Sequence, residues 1–212
     1  MSTLLSIIKA NMTPATLKKA TEIIKSKGGM IRSADAIQNG IHPRTFYKLL
    51  DNGTIEKISR GVYRLAELEA ISSPDLVTVA SRVPNAVICL ISALSYHELT
   101  TQIPHEVSIA ILRDSRNPRI DYPPISVHQF SSDSFTAGIE DHKIDGITVK
   151  IYNPEKTIAD CFKFRNKIGM DIVLEAIKIY RSKQQFNLEK LFMYAKICRV
   201  KNIMTPYLEA RL

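Results

Sequence analysis

The strongest constraint on this chain lies between Thr13 and Leu65, where residues that start and stop helices recur at short intervals. Thr13-Pro14 predicts a helix start: a hydroxyl cap is followed by a proline at the first helical position, where its missing N–H costs nothing. Leu17, Ala20 and Ile24 then repeat at helical spacing, Ile23 widens the stripe, and Gly28-Gly29 stops the helix. Ser33 is placed to cap a short second helix, from Ala34 to about Gln38, ended by Asn39-Gly40. His42-Pro43 opens a third helix that runs to about Leu50 and stops at Asp51-Asn52-Gly53. Two β-prone runs, Thr54–Ile58 and Val62–Leu65, meet across Ser59-Arg60-Gly61 and read as a hairpin. Three short helices and then a hairpin is the element order of a winged helix-turn-helix.

The third helix has suitable chemistry on two faces. Phe46, Leu49 and Leu50 are three and four residues apart and can anchor it to a core, and Ile41 packs down ahead of its cap. Arg44, Thr45, Tyr47 and Lys48 fall largely on the other side. Arginine reads guanine through paired hydrogen bonds, threonine touches a thymine methyl or a phosphate, and lysine and tyrosine hold phosphates. Tyr47 fits the core equally well. The hairpin adds Lys57, Arg60 in the turn, and Arg64, while Ile55, Ile58 and Leu65 can reach inward. Arg32 and His42 complete the candidate contacts to double-stranded DNA. Charge follows the same division. Residues 1–65 hold 11 Lys/Arg against 4 Asp/Glu, a net of +7 out of the chain's +8, so a polyanion partner is expected for that third of the chain.

A composition break at Ala66–Ser73 sets a domain boundary, giving a winged helix-turn-helix over 1–70 and a mixed α/β domain over 71–212. The fold class is therefore α+β. Ahead of the first helix stands a short apolar lead of Leu4, Leu5, Ile7 and Ile8. In the second domain, helices are expected at about 74–82 and 92–99, and strand-like runs at 86–90, 106–112, 125–130 and 147–152. Residues 113–124 read as a loop. Three helices, about 154–166, 172–182 and 188–198, form a closing helical segment, with a further stretch near the C-terminus.

Several function classes lack their residues. No phosphate-binding glycine loop, dinucleotide fingerprint, HExxH or nucleophile elbow occurs, so no cofactor or metal is expected. Three scattered cysteines (Cys89, Cys161, Cys198) exclude a disulfide framework and fit a reducing cytoplasm. The absence of a long apolar run, and a polar N-terminal stretch, point to a cytoplasmic protein with no membrane partner. Asp141-His142-Lys143 superficially matches the tail of a metal-dependent nuclease motif, but it reads as turn-rich sequence without an apolar strand around it. His97-Glu98 and His105-Glu106 are adjacent pairs, not ligands at helical spacing.

The stretch from Ile23 to Leu65 resembles the N-terminal winged-helix domain of the AbiEi-type antitoxins, through Gly28-Gly29, Ala34-Asp35-Ala36, Gly40-Ile41, Arg44-Thr45 and Ser59-Arg60-Gly61-Val62-Tyr63. The resemblance continues through Ser92-Ala93-Leu94, Leu99-Thr100 and Ile103-Pro104. Its most specific later match is Tyr152-Asn153-Pro154-Glu155-Lys156-Thr157-Ile158-Ala159-Asp160, supported by Ala176-Ile177 and Pro206-Tyr207-Leu208. It implies a first domain that binds inverted repeats in its own promoter and represses the operon. The second domain would counter a nucleotidyltransferase-like toxin without requiring a stable complex. The chain has no Asp-x-Asp, so it is not expected to be that toxin itself. The alternative is a repressor with an effector-sensing second domain and no toxin partner.

Lys156 and Asp160, four apart on a helix, fit an ordinary surface pair or an antitoxin surface. Cys161 reads as a small core residue. Lys163, Arg165 and Lys167 form either a positive patch or a solvated helix end.

Overall fold

The computed structural model describes residues 13–68 and 73–209. The apolar lead at 4–8 and the stretch 69–72 of the expected boundary lie outside these. The protein is of mixed α and β structure and divides into two compact units, Met1–Pro74 with Asp145–Ile147, and Asp75–Ile144 with Thr148–Leu212.

In the first unit, α1 (Pro14–Ser26) starts as its cap residue dictates: the Thr13 hydroxyl accepts from the Thr16 N–H at 3.3 Å. A short strand β1 (Met30–Arg32) follows Gly28-Gly29 and leads into α2 (Ser33–Gln38). Ser33 was expected to cap this helix. Instead Arg32, in extended conformation, occupies the cap position, and the Ser33 N–H donates to the Gly61 carbonyl at 3.0 Å. Pairing with the hairpin thus replaces the side-chain cap. Helix α3 (Pro43–Asp51) and strands β2 (Ile55–Ser59) and β3 (Val62–Leu65) complete the unit. The sheet order is β1-β3-β2, antiparallel throughout. Its core gathers Ala20, Ile24, Ile31, Ala36, Ile41, Phe46, Leu49, Ile55, Tyr63 and Leu65. Phe46 meets Tyr63 edge-on at 4.8 Å, which fixes α3 over one face of the sheet.

The second unit is built on a five-stranded sheet of order β6-β5-β4-β8-β7, comprising β4 (Val87–Ile88), β5 (Val107–Leu112), β6 (Ile125–Phe130), β7 (Ile139–Ile144) and β8 (Ile147–Tyr152). Around it lie α4 (Pro74–Arg82), α5 (Leu90–Tyr96), α6 (Ser132–Thr136), α7 (Pro154–Lys163), α8 (Arg165–Ile168), α9 (Met170–Ser182), α10 (Leu188–Ile197) and α11 (Lys201–Glu209). Strand β4 pairs antiparallel with β5 and parallel with β8. The helix expected over 154–166 breaks at Phe164 into α7 and α8, and that expected over 92–99 begins earlier, at Leu90.

Asp141-His142-Lys143 lies on β7, not in a turn-rich stretch. Apolar residues stand only at the two ends of that strand; between them Glu140, Asp141 and Lys143 are exposed, while His142 is part-buried against Tyr96 and His97. Helix α7 packs against α5, α8, α9, α10 and α11 and is buried from Glu155 to Phe162. No helix among the described residues is long and apolar enough to cross a membrane.

Candidate nucleic-acid interface

The first turn of α3 is set by His42, whose Nδ1 accepts from the Arg44 N–H at 3.2 Å, and by Pro43. Its tautomer is thereby assigned, with Nδ1 as the acceptor. Phe46 and Leu49 turn inward, which leaves Arg44, Tyr47 and Lys48 exposed. Tyr47 is 59% exposed, so it belongs to the outward face and not to the core. Thr45 does not. It is 4% exposed and lies on the buried stripe with Leu49, one turn on.

Strand register sorts the remaining candidates. Ile31, Tyr63 and Lys57 are cross-strand partners and share the face of the sheet that carries α3. Lys57 is exposed and stands beside the helix on that face. Met30, Arg64 and Glu56 are the next set of partners and take the opposite face, as do Arg32 and Val62. Arg64 is mostly covered there and donates from Nε to a Glu56 carboxylate oxygen. Arg32 and Arg64 thus take the face of the sheet opposite to Lys57 and α3, and Thr45 lies on the inward side of α3. Arg60 is exposed in the hairpin turn. Among the described residues, Arg44, Lys48 and Lys57 form no ion pair, so their charge is directed to solvent.

A groove of about 390 Å³ runs between α1 and the start of α3, lined by Thr16, Lys19, Gly40, His42 and Thr45 among others. Lys19 is a cation that sequence reasoning passed over. It is exposed on the polar side of α1, and only the folded packing sets it beside the amino end of α3, where a phosphate is favoured.

The second unit departs further from expectation. Lys156 and Asp160 are not on the surface: both are 0% exposed, with Nζ 2.5 Å from Oδ2. The ammonium also sits 4.1 Å from the Tyr152 ring centre and 4.9 Å from that of Phe130, which stack on each other. The other carboxylate oxygen of Asp160 accepts from the Cys198 thiol at 3.2 Å. Burial lifts Asp160 above the ordinary carboxylate range, against the opposing pull of Lys156. The same burial pushes the Cys198 thiol up to about 12. This is an internal ion pair, closed off on every side by protein. An antitoxin surface cannot include it.

The amino end of α7 is held by the Asn153 side chain, which accepts from the Lys156 N–H at 2.9 Å and donates to the Tyr194 hydroxyl at 2.8 Å. Glu155 accepts from the Tyr180 hydroxyl at 2.8 Å. His97 Nε2 donates to the Tyr152 carbonyl at 2.7 Å, and desolvation lowers its pKa. Of the helix-end cations, Lys163 lies over the Phe130 ring and Lys167 over Phe164, while Arg165 donates to the Phe162 carbonyl. Among the described residues, no three His, Cys, Asp or Glu side chains come together to hold a metal, so Asp141 has no set of ligands around it for hydrolytic chemistry.

Residues 18–66 match the family of transcriptional regulators described as AbiEi antitoxins. The matched segment contains the whole of α2, α3 and the hairpin, with most of α1, and so spans Lys19, Arg44, Lys48, Lys57 and Arg60. No curated protein matches the chain. Among solved structures, the RV2827C protein from Mycobacterium tuberculosis is similar in fold, with a TM-score of 0.53 at 12% identity. The likeness covers 92% of this chain and 81% of that one, and therefore extends beyond the segment matched by the family.

Proposed function

We propose that the protein is a DNA-binding transcriptional regulator of the AbiEi antitoxin kind, with a winged helix-turn-helix over residues 1–70 and an antitoxin domain over 71–212. Helix α3 enters the major groove with Arg44 at a base edge, Tyr47 and Lys48 at the backbone, and Lys57 and Arg60 of the hairpin on the flanking strand. The observation that carries this reading is the unpaired row of Arg44, Lys48 and Lys57 on one side of the matched segment. A cationic row of this kind gives binding that is steep in salt, each phosphate contact releasing about one counterion. The operator is an inverted repeat in the protein's own promoter, which makes the regulator a repressor of its operon. The second unit counteracts a nucleotidyltransferase-like toxin, with which no stable complex is required.

Titration of the full chain on its upstream promoter by gel shift tests the first half. Arg44→Ala is expected to weaken specific binding by about 1–3 kcal/mol and to relax preference at one base position. Unchanged titrations for Arg44→Ala and Lys48→Ala would remove α3 from the groove. For the second half, full-length Arg44→Ala/Lys48→Ala should still rescue cells from the toxin encoded beside it. Loss of rescue in that folded variant contradicts the division of labour.

A further inference from the structure

The second unit contains a cleft that the regulatory reading leaves without a task. It has a volume of about 470 Å³ and opens where the carboxyl end of β5 meets the loop after it. Its walls are apolar: Val87 of β4, Ile111 and Leu112 of β5, Phe135 of α6 and Ile139 of β7. The polar groups are few, namely Asn85, Ser115, Arg116 and Lys150, and no carboxylate lines it. A mostly apolar cavity of a few hundred Å³ with a few convergent polar groups is the usual form of a small-molecule site.

The charge in the cleft is unbalanced. Lys150 projects from β8, in the interior of the sheet order, and is half-buried. Neither it nor Arg116 has an ion-pair partner among the described residues. Half-burying an ammonium beside apolar walls without a counter-charge is unfavourable, and an anionic ligand would relieve that cost. Phe135 and Ile139, both half-buried, leave apolar surface open to the cavity, and this surface suits a flat apolar body attached to the anion.

We propose that this cleft binds a small organic anion with a planar apolar body, its charge held between Lys150 and Arg116 and its ring on Phe135 and Ile139. A nucleoside monophosphate and an aromatic carboxylate both have this chemistry, and the experiment separates them. The proposal does not depend on the DNA-binding reading.

The test is a fluorescence titration of the full chain with 1-anilinonaphthalene-8-sulfonate, itself an aromatic anion. The expected result is one saturable site, with the dissociation constant raised at least tenfold by Arg116→Gln/Lys150→Gln. Leu112→Glu, at a partly exposed wall position, introduces a repelling carboxylate without emptying the core and should weaken binding as strongly. Displacement by adenosine monophosphate identifies the phosphate source, displacement by salicylate the carboxylate source, and displacement by both the shared chemistry alone. The proposal is overturned if the probe binds equally to wild type and both variants, or if neither competitor displaces it. Promoter gel shifts on the same variants report the DNA-binding function separately.

Discussion

Replacing Lys156 by methionine keeps an unbranched apolar stem, one heavy atom shorter, and removes the ammonium with its charge and its hydrogen bond to Asp160. In the native protein that charge is fully buried, 2.5 Å from Asp160 and over the faces of Tyr152 and Phe130. Removing one partner of such a pair leaves a buried carboxylate whose remaining partner is the weak thiol donor of Cys198. The expected loss is about 3–5 kcal/mol, equivalent to roughly 10 °C in melting temperature for a chain of this size. Proton uptake limits the loss. Asp160 already lies above the ordinary carboxylate range, and without Lys156 it rises further. The unfolded carboxyl ionises near 3.8, so between the two folded-state pKa values the variant loses stability relative to wild type as pH increases. The deficit therefore grows as pH rises past the wild-type Asp160 pKa. Urea unfolding followed by far-ultraviolet circular dichroism measures it, since the chain has no tryptophan. Lys156→Met/Asp160→Leu removes both charges and should recover at least half of the loss. A single variant within about 1 kcal/mol of wild type, or strict additivity in the double variant, would refute the account of an interdependent buried pair.

Three further outcomes follow from the geometry. Arg64→Gln should leave promoter affinity within about twofold of wild type, whereas Lys57→Gln should reduce the salt slope by about one, both read by gel shift across a salt series. Gly138 has φ +77°, and a Cβ there would lie 2.7 Å from Lys156 Cβ, so Gly138→Ala should cost about 2–4 kcal/mol in urea unfolding. His97 is held neutral by burial, so its unfolded form protonates first as pH drops through about 6.5. Its stabilising contribution is lost in that direction, and the advantage of wild type over His97→Gln should narrow between pH 7.5 and 5.5 in thermal melts.

The elements marked by their own residues could be read from the sequence. Thr13-Pro14 and His42-Pro43 start α1 and α3 because cap chemistry is local. Strand β1 could not be seen, since three residues after a glycine pair become a strand only when β3 arrives to pair with them. Thr45 was misplaced although a signal was present: it precedes Leu49 by four residues and so shares its buried stripe. The faces of Arg64 and Lys57 depended on register, which hairpin sequence alone leaves open. Lys156 and Asp160 carried the appearance of a solvent pair. Their burial comes from the number of helices packed on α7, a property of the assembled unit that no local pattern reports.

The enclosed position of Lys156 and Asp160 also affects how genetics on this protein is read. They are charged residues one helical turn apart and are natural choices for an alanine scan scored by survival. Both would register as loss-of-function alleles, yet the phenotype would arise from too little folded protein in the cell and not from a broken contact with another molecule. A survival screen needs a parallel measure of soluble protein level, and alleles that lower both readouts together should be set aside before any interaction surface is drawn.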